Sequence, residues 1–162
     1  MVKLISFSRS ILLSLFLLLG ISIEGYSMSL FDIGKICLFS DTAGHVVLNG
    51  EPIVGATIKR SVIWQNKTLE DTTVTDKAGN FRFDAKFTNS LSKFMPVEAV
   101  MTQSIVIQHN NNNYEAWKTN KRDFEENSEL NGKPINLVCD LSHEMEVKEE
   151  GNQVIKSICQ WK

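Results

Sequence analysis

Apolar residues recur at every second position along several segments of this chain. In residues 81–87 the odd positions are all apolar and the even positions are all charged. Residues 56–64 alternate in the same way, and only Arg60 interrupts their apolar face. Successive side chains of a β-strand point to opposite faces of the sheet, so this period predicts half-buried strands. No segment has a comparably clear helical period, and an all-β domain is therefore predicted.

Turn-forming sequences separate these runs. Gly, Asn, Asp and Pro favour turns because they tolerate positive φ, form local hydrogen bonds or fix the backbone. Such residues are concentrated in Asn49–Pro52, Asp76–Asn80, His109–Asn113 and Asn131–Pro134. Short strands with turns about every ten residues are typical of two packed antiparallel sheets. The charged residues 119–130 are expected to form a solvated loop or a short surface helix.

The first 27 residues have the three parts of a secretory signal peptide. Two basic residues give a positive start, residues 11–19 are almost entirely apolar, and small residues precede a cleavage point after Ser27. The apolar run is shorter than the ~20 residues that a membrane span needs. We therefore predict a signal peptide at residues 1–27, one domain at residues 28–162, and export to the periplasm or secretion. An uncleaved N-terminal anchor is the alternative.

The cysteines predict a disulfide. Cys37, Cys139 and Cys159 all follow the predicted signal peptide, and two thiols within reach form a disulfide in an oxidising compartment. A hairpin centred on Glu149 would place Cys139 opposite Cys159, whereas one centred on Glu150 would not. We predict a Cys139–Cys159 disulfide that stabilises the fold by about 3 kcal/mol. Cys37 is the alternative partner of either cysteine.

Neither charge nor residue spacing indicates a catalytic or metal site. The formal net charge of −2 argues against nucleic acid or an anionic membrane surface as the main partner. His45, His109 and His143 are scattered and lack the spacing of a zinc site. Asp140, Ser142 and His143 cannot form a triad, because neighbours on one strand point to opposite faces. We therefore predict no enzyme activity, no cofactor and no metal.

Two segments carry a resemblance to a known family. Residues 46–58 contain an Asn-Gly-x-Pro turn and a Gly-Ala pair, and residues 75–83 contain a Thr-Asp-x-x-Gly-x-Phe turn. This pattern resembles the carboxypeptidase-regulatory-like, or transthyretin-like, domains over residues 38–87. The turn residues that carry it are Asn49, Gly50, Pro52, Gly55, Asp76 and Gly79. The resemblance implies an antiparallel Greek-key sandwich of about seven strands, here with a C-terminal hairpin extension.

The resemblance implies binding rather than catalysis. Relatives that hydrolyse 5-hydroxyisourate end in Tyr-Arg-Gly-Ser, whereas this chain ends in Cys-Gln-Trp-Lys, so that activity is not carried over. Most domains of this group are rigid modules that support folding or contact proteins or carbohydrates. We therefore predict an exported, non-enzymatic module that binds another envelope or periplasmic protein, in one version as an inhibitor.

Several features of the sequence are candidates for such a contact. A carboxylate-rich arm at residues 144–150 suits a basic partner, and an exposed strand edge could accept a strand from a partner. Exposed aromatic side chains would instead favour carbohydrate or small-molecule binding, and a hydrolase with a site assembled across loops is the third alternative. The candidate contact residues are Trp64, Tyr114, Trp117, Trp161, Glu144 and Glu146.

Overall fold

A computed structural model describes residues 33–161 of the chain, and the predicted signal peptide at residues 1–27 lies outside them. The regular secondary structure of this part is almost entirely strand, with two short 3₁₀ segments at Leu91–Phe94 and Ser128–Leu130. The strands are β1 (Lys35–Phe39), β2 (Thr42–Leu48), β3 (Glu51–Pro52), β4 (Thr57–Trp64), β5 (Lys67–Val74), β6 (Asn80–Phe83), β7 (Lys86–Asn89), β8 (Met101–His109), β9 (Asn112–Lys121), β10 (Ile135–Asp140), β11 (Glu146–Glu150), β12 (Gln153–Ser157) and β13 (Cys159–Trp161).

The strands form two large sheets and one small one. The six-stranded sheet has the order β11-β12-β9-β8-β4-β5 and is antiparallel throughout. The five-stranded sheet has the order β13-β10-β2-β3, with β6 also paired to β2. The strands β1 and β7 form a separate antiparallel pair. The predicted all-β fold with antiparallel sheets is confirmed, although β2 and β10 run parallel and the strands are more numerous than expected.

The inner faces of the strands supply one apolar core. In β8 the side chains of Met101, Ile105 and Ile107 are buried at alternate positions, as the period of two requires. The same period buries Ile58 and Val62 in β4. No helix among residues 33–161 is long and apolar enough to cross a membrane.

The run at residues 81–87 is not one strand, as its pattern predicts, but two. Phe83 ends β6, and β7 begins at Lys86 and pairs with β1 instead of β2. The carbonyl oxygen of Asp84 at the break accepts a hydrogen bond from Arg60 Nη2 at 2.9 Å. Because the chain changes sheets there, Phe87 is 40% exposed although its position in the pattern predicts burial.

The predicted Cys139–Cys159 disulfide is present, but the hairpin expected to create it is not. The strands β11 and β12 form a hairpin in which Glu150 pairs with Gln153, so its centre is neither Glu149 nor Glu150. After β12 the chain moves to the other large sheet, where β13 pairs with β10 and places Cys139 opposite Cys159. The disulfide therefore joins neighbouring strands of the five-stranded sheet.

The turn residues of the resemblance adopt the backbone conformations that their types favour. Asn49, Gly50, Gly55 and Gly79 have φ values of 53°, 84°, 73° and 77°, a region that Gly and Asn tolerate. Pro52 ends the short strand β3. The carboxylate of Asp76 accepts hydrogen bonds from the backbone of Ala78 and Asn80, both at 2.8 Å. A Cβ atom at position 79 would lie 2.6 Å from the Val46 carbonyl oxygen, so this turn requires glycine.

Candidate functional site

The core contains a fully buried ion pair within the segment expected to be solvated. Lys121 ends β9, Glu129 lies in the second 3₁₀ segment, and both side chains are 0% exposed. Lys121 Nζ lies 3.2 Å from Glu129 Oε2. Glu129 also accepts hydrogen bonds from Ser40 N at 3.1 Å, Ser40 Oγ at 2.6 Å and Gln103 Nε2 at 2.8 Å. Because every member is buried, this network holds the fold together and offers no surface to a ligand.

Cys37 is a buried free thiol beside this network. Its Sγ lies 3.7 Å from Ser40 Oγ, and the residue is 1% exposed. Burial is the main cause that raises the pKa of the Cys37 thiol. A buried thiol in its neutral form is a poor nucleophile, so the structure gives Cys37 a packing role rather than a disulfide or catalytic one.

The aromatic residues predicted to form a contact surface are mostly packed against other rings. Trp117 is 0% exposed, and its prediction as a surface residue is wrong because it lies on the inner face of β9. Trp161 packs edge-to-face on Trp117 with ring centroids 5.4 Å apart. Trp64 packs in the same way on Phe124 at 5.7 Å. With Tyr114 also partly buried, these four predicted rings form core and core-edge contacts instead of a shared exposed platform.

The acidic arm is exposed, and part of its charge is paired within the arm. Glu144 and Glu146 are both exposed, as predicted. Glu146 forms an ion pair with Lys148 at 3.0 Å, and Glu150 accepts a hydrogen bond from Trp161 Nε1 at 3.1 Å. The residues of β11 therefore form a charged edge of the six-stranded sheet.

The other edge of the same sheet is β5, and it differs from every other edge strand in the described part of the chain. It is eight residues long, whereas β1 and β11 have five residues each, β6 and β7 four each, β13 three and β3 two. Four of the five residues of β11 are charged, but only three of the eight in β5 are, and β5 has neither a proline nor a bulge. Charges, prolines, bulges and short length are the devices that protect sheet edges from pairing. Most of them are missing from β5.

The hairpin between β4 and β5 fixes which backbone groups of β5 face outward. Its two turn residues, Gln65 and Asn66, both have positive φ, at 48° and 61°, and Trp64 pairs with Lys67. Such a two-residue hairpin closes on a hydrogen-bonded pair, and hydrogen-bonded and non-hydrogen-bonded pairs then alternate. The N–H and C=O groups that point away from β4 therefore belong to every second residue, beginning at Thr68. The residues concerned are Thr68, Glu70, Thr72 and Val74.

A cluster of charges lies behind the middle of this strand. Arg60 in β4 is 2% exposed, and it donates two hydrogen bonds to Asp71, at 3.0 Å from Nε and 2.7 Å from Nη2. Lys86 Nζ lies 3.2 Å from the same carboxylate. Burial opposes ionisation of Asp71, but the hydrogen bonds and charges of Arg60 and Lys86 outweigh it and lower the pKa of this carboxyl. The carboxylate is therefore ionised and shared by two cations.

Among residues 33–161, no three His, Cys, Asp or Glu side chains lie close enough to hold a metal ion. A groove of about 480 Å³ crosses the outer face of the five-stranded sheet, and its polar lining includes His45, Asn80, Arg82 and Asn136. The charge of Arg82 is paired with Asp41. The groove thus has no unpaired charge among these lining residues to fix a ligand.

One family model matches the chain. A domain of unknown function, DUF6795, matches residues 42–144, which span β2 to β10. The chain belongs to this family. The DUF6795 match includes the edge strand β5 and the cluster of Arg60, Asp71 and Lys86, but it ends before β11, β12 and β13. No curated protein and no solved structure matches the chain.

Proposed function

We propose that this DUF6795 protein is an exported, non-enzymatic, transthyretin-like module that binds another envelope or periplasmic protein by strand addition to β5. The observation that carries the proposal is the eight-residue β5 edge, whose outward N–H and C=O groups pair with no other described strand. An added strand gains affinity from main-chain hydrogen bonds and specificity from alternate side chains. The disulfide supports export, since such bonds persist in oxidising compartments.

The position of β5 in the chain also supports its choice as the binding edge. It lies inside the part that defines the family, whereas the acidic β11 edge lies outside it. The three tryptophans predicted for the carbohydrate alternative do not form an aromatic platform, because Trp117 is buried and Trp64 and Trp161 pack against other rings. Strand addition therefore uses the sheet edge that, among those of residues 33–161, is both long and unprotected.

Replacing the outward amide of Thr68 tests the proposal. Thr68 is exposed, and its N–H points away from β4, so proline at this position removes a donor to a partner without removing one to β4. Envelope extract is passed over the immobilised full chain, its Thr68→Pro variant and its Thr68→Ala variant. The unmodified chain and Thr68→Ala are expected to retain the same proteins, and Thr68→Pro is expected to lose them.

The alanine variant is the matched control, because it removes the same side chain and keeps the N–H group. Urea unfolding of all three chains verifies that the proline variant is folded. If Thr68→Pro retained the same proteins as Thr68→Ala, strand addition at this edge would be wrong. If the unmodified chain retained nothing above background, a protein-binding role would be wrong as well.

A further inference from the structure

Large exposed apolar side chains are concentrated in one short segment after β7, residues 91–97, which we call the apolar loop. Leu91 is 78% exposed and Phe94 64% exposed, and Met95 and Val97 are exposed as well. The 3₁₀ segment at the start of the loop contributes no buried residue, and burial resumes at Ala99. Apolar residues scattered singly over a surface are ordinary, whereas a contiguous group marks a place of interaction. The apolar loop is therefore a candidate contact surface that differs from the β5 edge.

The apolar loop lies beside the point where the described part of the chain begins. Ser90, which precedes the loop, donates a hydrogen bond from its backbone N–H to the carbonyl oxygen of Gly34 at 2.8 Å. The ring of Phe94 lies next to the same glycine, since a Cβ atom at position 34 would be 3.6 Å from Phe94 Cε2. Ile33, the first described residue, is itself exposed. Residues 1–32 therefore join the described part beside the apolar loop.

The length of chain before the apolar loop limits how far the loop can lie from a membrane. The apolar part of the N-terminal segment ends at Ile23, and the ten residues from 24 to 33 can span at most ~35 Å. A signal peptide before its cleavage, or an uncleaved anchor, holds its apolar run in the bilayer. Either form of the predicted N-terminal segment would thus keep the apolar loop within reach of the membrane surface.

The composition of the apolar loop suits a lipid surface. Between residues 90 and 97 the chain has one charged side chain, Lys93, and no acid. Lys93 donates a hydrogen bond from Nζ to the carbonyl oxygen of Lys35 at 3.0 Å and lies 3.5 Å from Glu125. A lysine at the edge of an apolar group buries its stem and keeps its ammonium group among the lipid headgroups. Such a loop gains affinity from apolar burial and needs no anionic lipid, in agreement with the mildly negative charge of the chain.

The hairpin that leads into β5 contacts the apolar loop. Gln65, in the turn between β4 and β5, donates a hydrogen bond from Nε2 to Ser92 Oγ at 3.0 Å. Strand β5 therefore begins next to the apolar loop. A loop that bound a membrane would place the start of the β5 edge near the bilayer surface.

We infer that the apolar loop inserts into the interface of a lipid bilayer and holds the protein against the membrane, with Leu91 and Phe94 as the main anchoring side chains. This inference goes beyond the proposed function, because it adds a contact that does not use the backbone groups of β5. The ligand is the boundary between lipid headgroups and acyl chains, into which a surface segment buries its apolar side chains.

A fluorescent probe in the apolar loop tests the inference on the full, disulfide-bonded chain. Leu91→Cys and, as the control, Val147→Cys each receive an environment-sensitive fluorophore, and Cys37 is buried and stays unlabelled in the folded chain. Phosphatidylcholine vesicles are added with and without lipids that carry a quencher in their acyl chains. The probe at position 91 is expected to gain fluorescence and to be quenched, whereas the probe at position 147 is expected to do neither. Both chains carry the same N-terminal segment, so the difference reports the loop itself.

Serine substitutions measure the contribution of the apolar side chains. Phe94→Ser combined with Met95→Ser is expected to weaken the affinity for vesicles, read from the probe at position 91, at least ~10-fold. Val54→Ser combined with Val154→Ser is the matched control, because it removes two exposed apolar side chains elsewhere on the surface and is expected to leave the affinity unchanged. Added salt is expected to change the affinity less than ~2-fold, because screening weakens charge attraction but not apolar burial. Urea unfolding verifies that each variant is folded.

The outcomes separate a lipid contact from the alternatives. A probe at position 91 that vesicles neither brighten nor quench would overturn the inference, as would equal quenching at positions 91 and 147. An undiminished affinity of the Phe94→Ser, Met95→Ser chain would overturn it too. If the chain sedimented as a dimer without lipid and this double variant were monomeric, the loop would join two copies and the inference would be wrong. Thr68→Pro is expected to leave vesicle binding unchanged, so failure of strand addition and failure of membrane binding are distinct results.

Discussion

The buried ion pair of Lys121 and Glu129 predicts how much the free energy of unfolding falls when one of its charges is removed. Glu129→Gln keeps the size and most of the shape of the side chain but removes its charge. Lys121 is 0% exposed, and among residues 33–161 Glu129 is the one acid within ion-pair distance of it. The substitution therefore leaves a buried ammonium without a counter-charge. Breaking one side of such a pair costs about 3–5 kcal/mol of unfolding free energy.

The two members of the pair are not equivalent. Without Lys121, the carboxylate of Glu129 still accepts hydrogen bonds from Ser40 N, Ser40 Oγ and Gln103 Nε2. Without the Glu129 charge, the ammonium has no comparable set of partners, because Lys121 Nζ donates no well-formed hydrogen bond in the described structure. Lys121→Met is therefore expected to cost less than Glu129→Gln. The double variant is expected to cost less than the two single changes added together, with a coupling of about 0.5–3 kcal/mol.

Urea unfolding at neutral pH, with the disulfide intact and Trp fluorescence as the signal, measures these differences. Glu125→Gln is the matched control, because it removes the same charge at the surface. Glu125 is 71% exposed and lies 3.5 Å from Lys93 in a surface ion pair. It is expected to change the free energy of unfolding by less than about 1 kcal/mol. A Glu129→Gln chain as stable as the Glu125→Gln chain would refute the reasoning, as would a double variant less stable than the sum of its parts.

Three further changes test other parts of the fold. Trp117→Ala removes a fully buried ring and is expected to cost about 3–5 kcal/mol in urea unfolding, whereas a loss below about 1 kcal/mol would place that ring at the surface. Replacing Cys139 and Cys159 together by Ala should lower the free energy of unfolding by about 3 kcal/mol, and an unchanged urea midpoint would contradict a native disulfide. Because the pKa of Asp71 is lowered in the fold, its contribution to stability is present above the unfolded value of about 3.9 and is lost as pH falls through the folded value. The urea midpoint of the Asp71→Asn variant should therefore fall less steeply below about pH 4 than that of the unmodified chain. If the two midpoints fell equally steeply below pH 4, the Arg60 contact would be contradicted.

The alternation of apolar residues predicted several of the strands but not which strands lie beside them. Residues 57–64 form β4 with the predicted inner face, including Arg60 as its interruption. Alternation within one segment says nothing about which strand lies beside it. The break between β6 and β7 therefore could not be read from residues 81–87, because it follows from the pairing of β7 with β1.

Burial of the Lys121 and Glu129 charges could not be predicted from the sequence, for a different reason. Lys121 and Glu129 lie in a stretch rich in charged residues, and burial of a charge depends on a partner brought by the fold. The partners Ser40 and Gln103 come from distant parts of the sequence, and local patterning carries no signal for them. One sign was available: Lys121 continues the odd-numbered positions of a strand that also buries Trp117 and Thr119.

The sequence could predict that a strand edge is exposed, but not which strand forms that edge. The sequence predicts exposed strand edges in any open sheet, but the turn at Gln65–Asn66, after which β5 begins, was not among the predicted turns. That β5 ends its sheet, and that Lys86 approaches Asp71 from another strand, are consequences of topology. The same limit applies to the disulfide, since the correct cysteines pair through a strand order that the sequence did not indicate.

Site-specific photo-crosslinking in cells that produce the protein tests strand addition at β5 most directly. A photoreactive residue is placed at Thr68 on the β5 edge and, as the control, at Val147 on the charged β11 edge, where the native side chain is 62% exposed. Strand addition predicts that the residue at position 68 forms an adduct with another protein. The adduct should disappear when Thr72, whose N–H also points away from β4, is replaced by proline. Adducts of equal yield from both positions, or from position 147 alone, would contradict it.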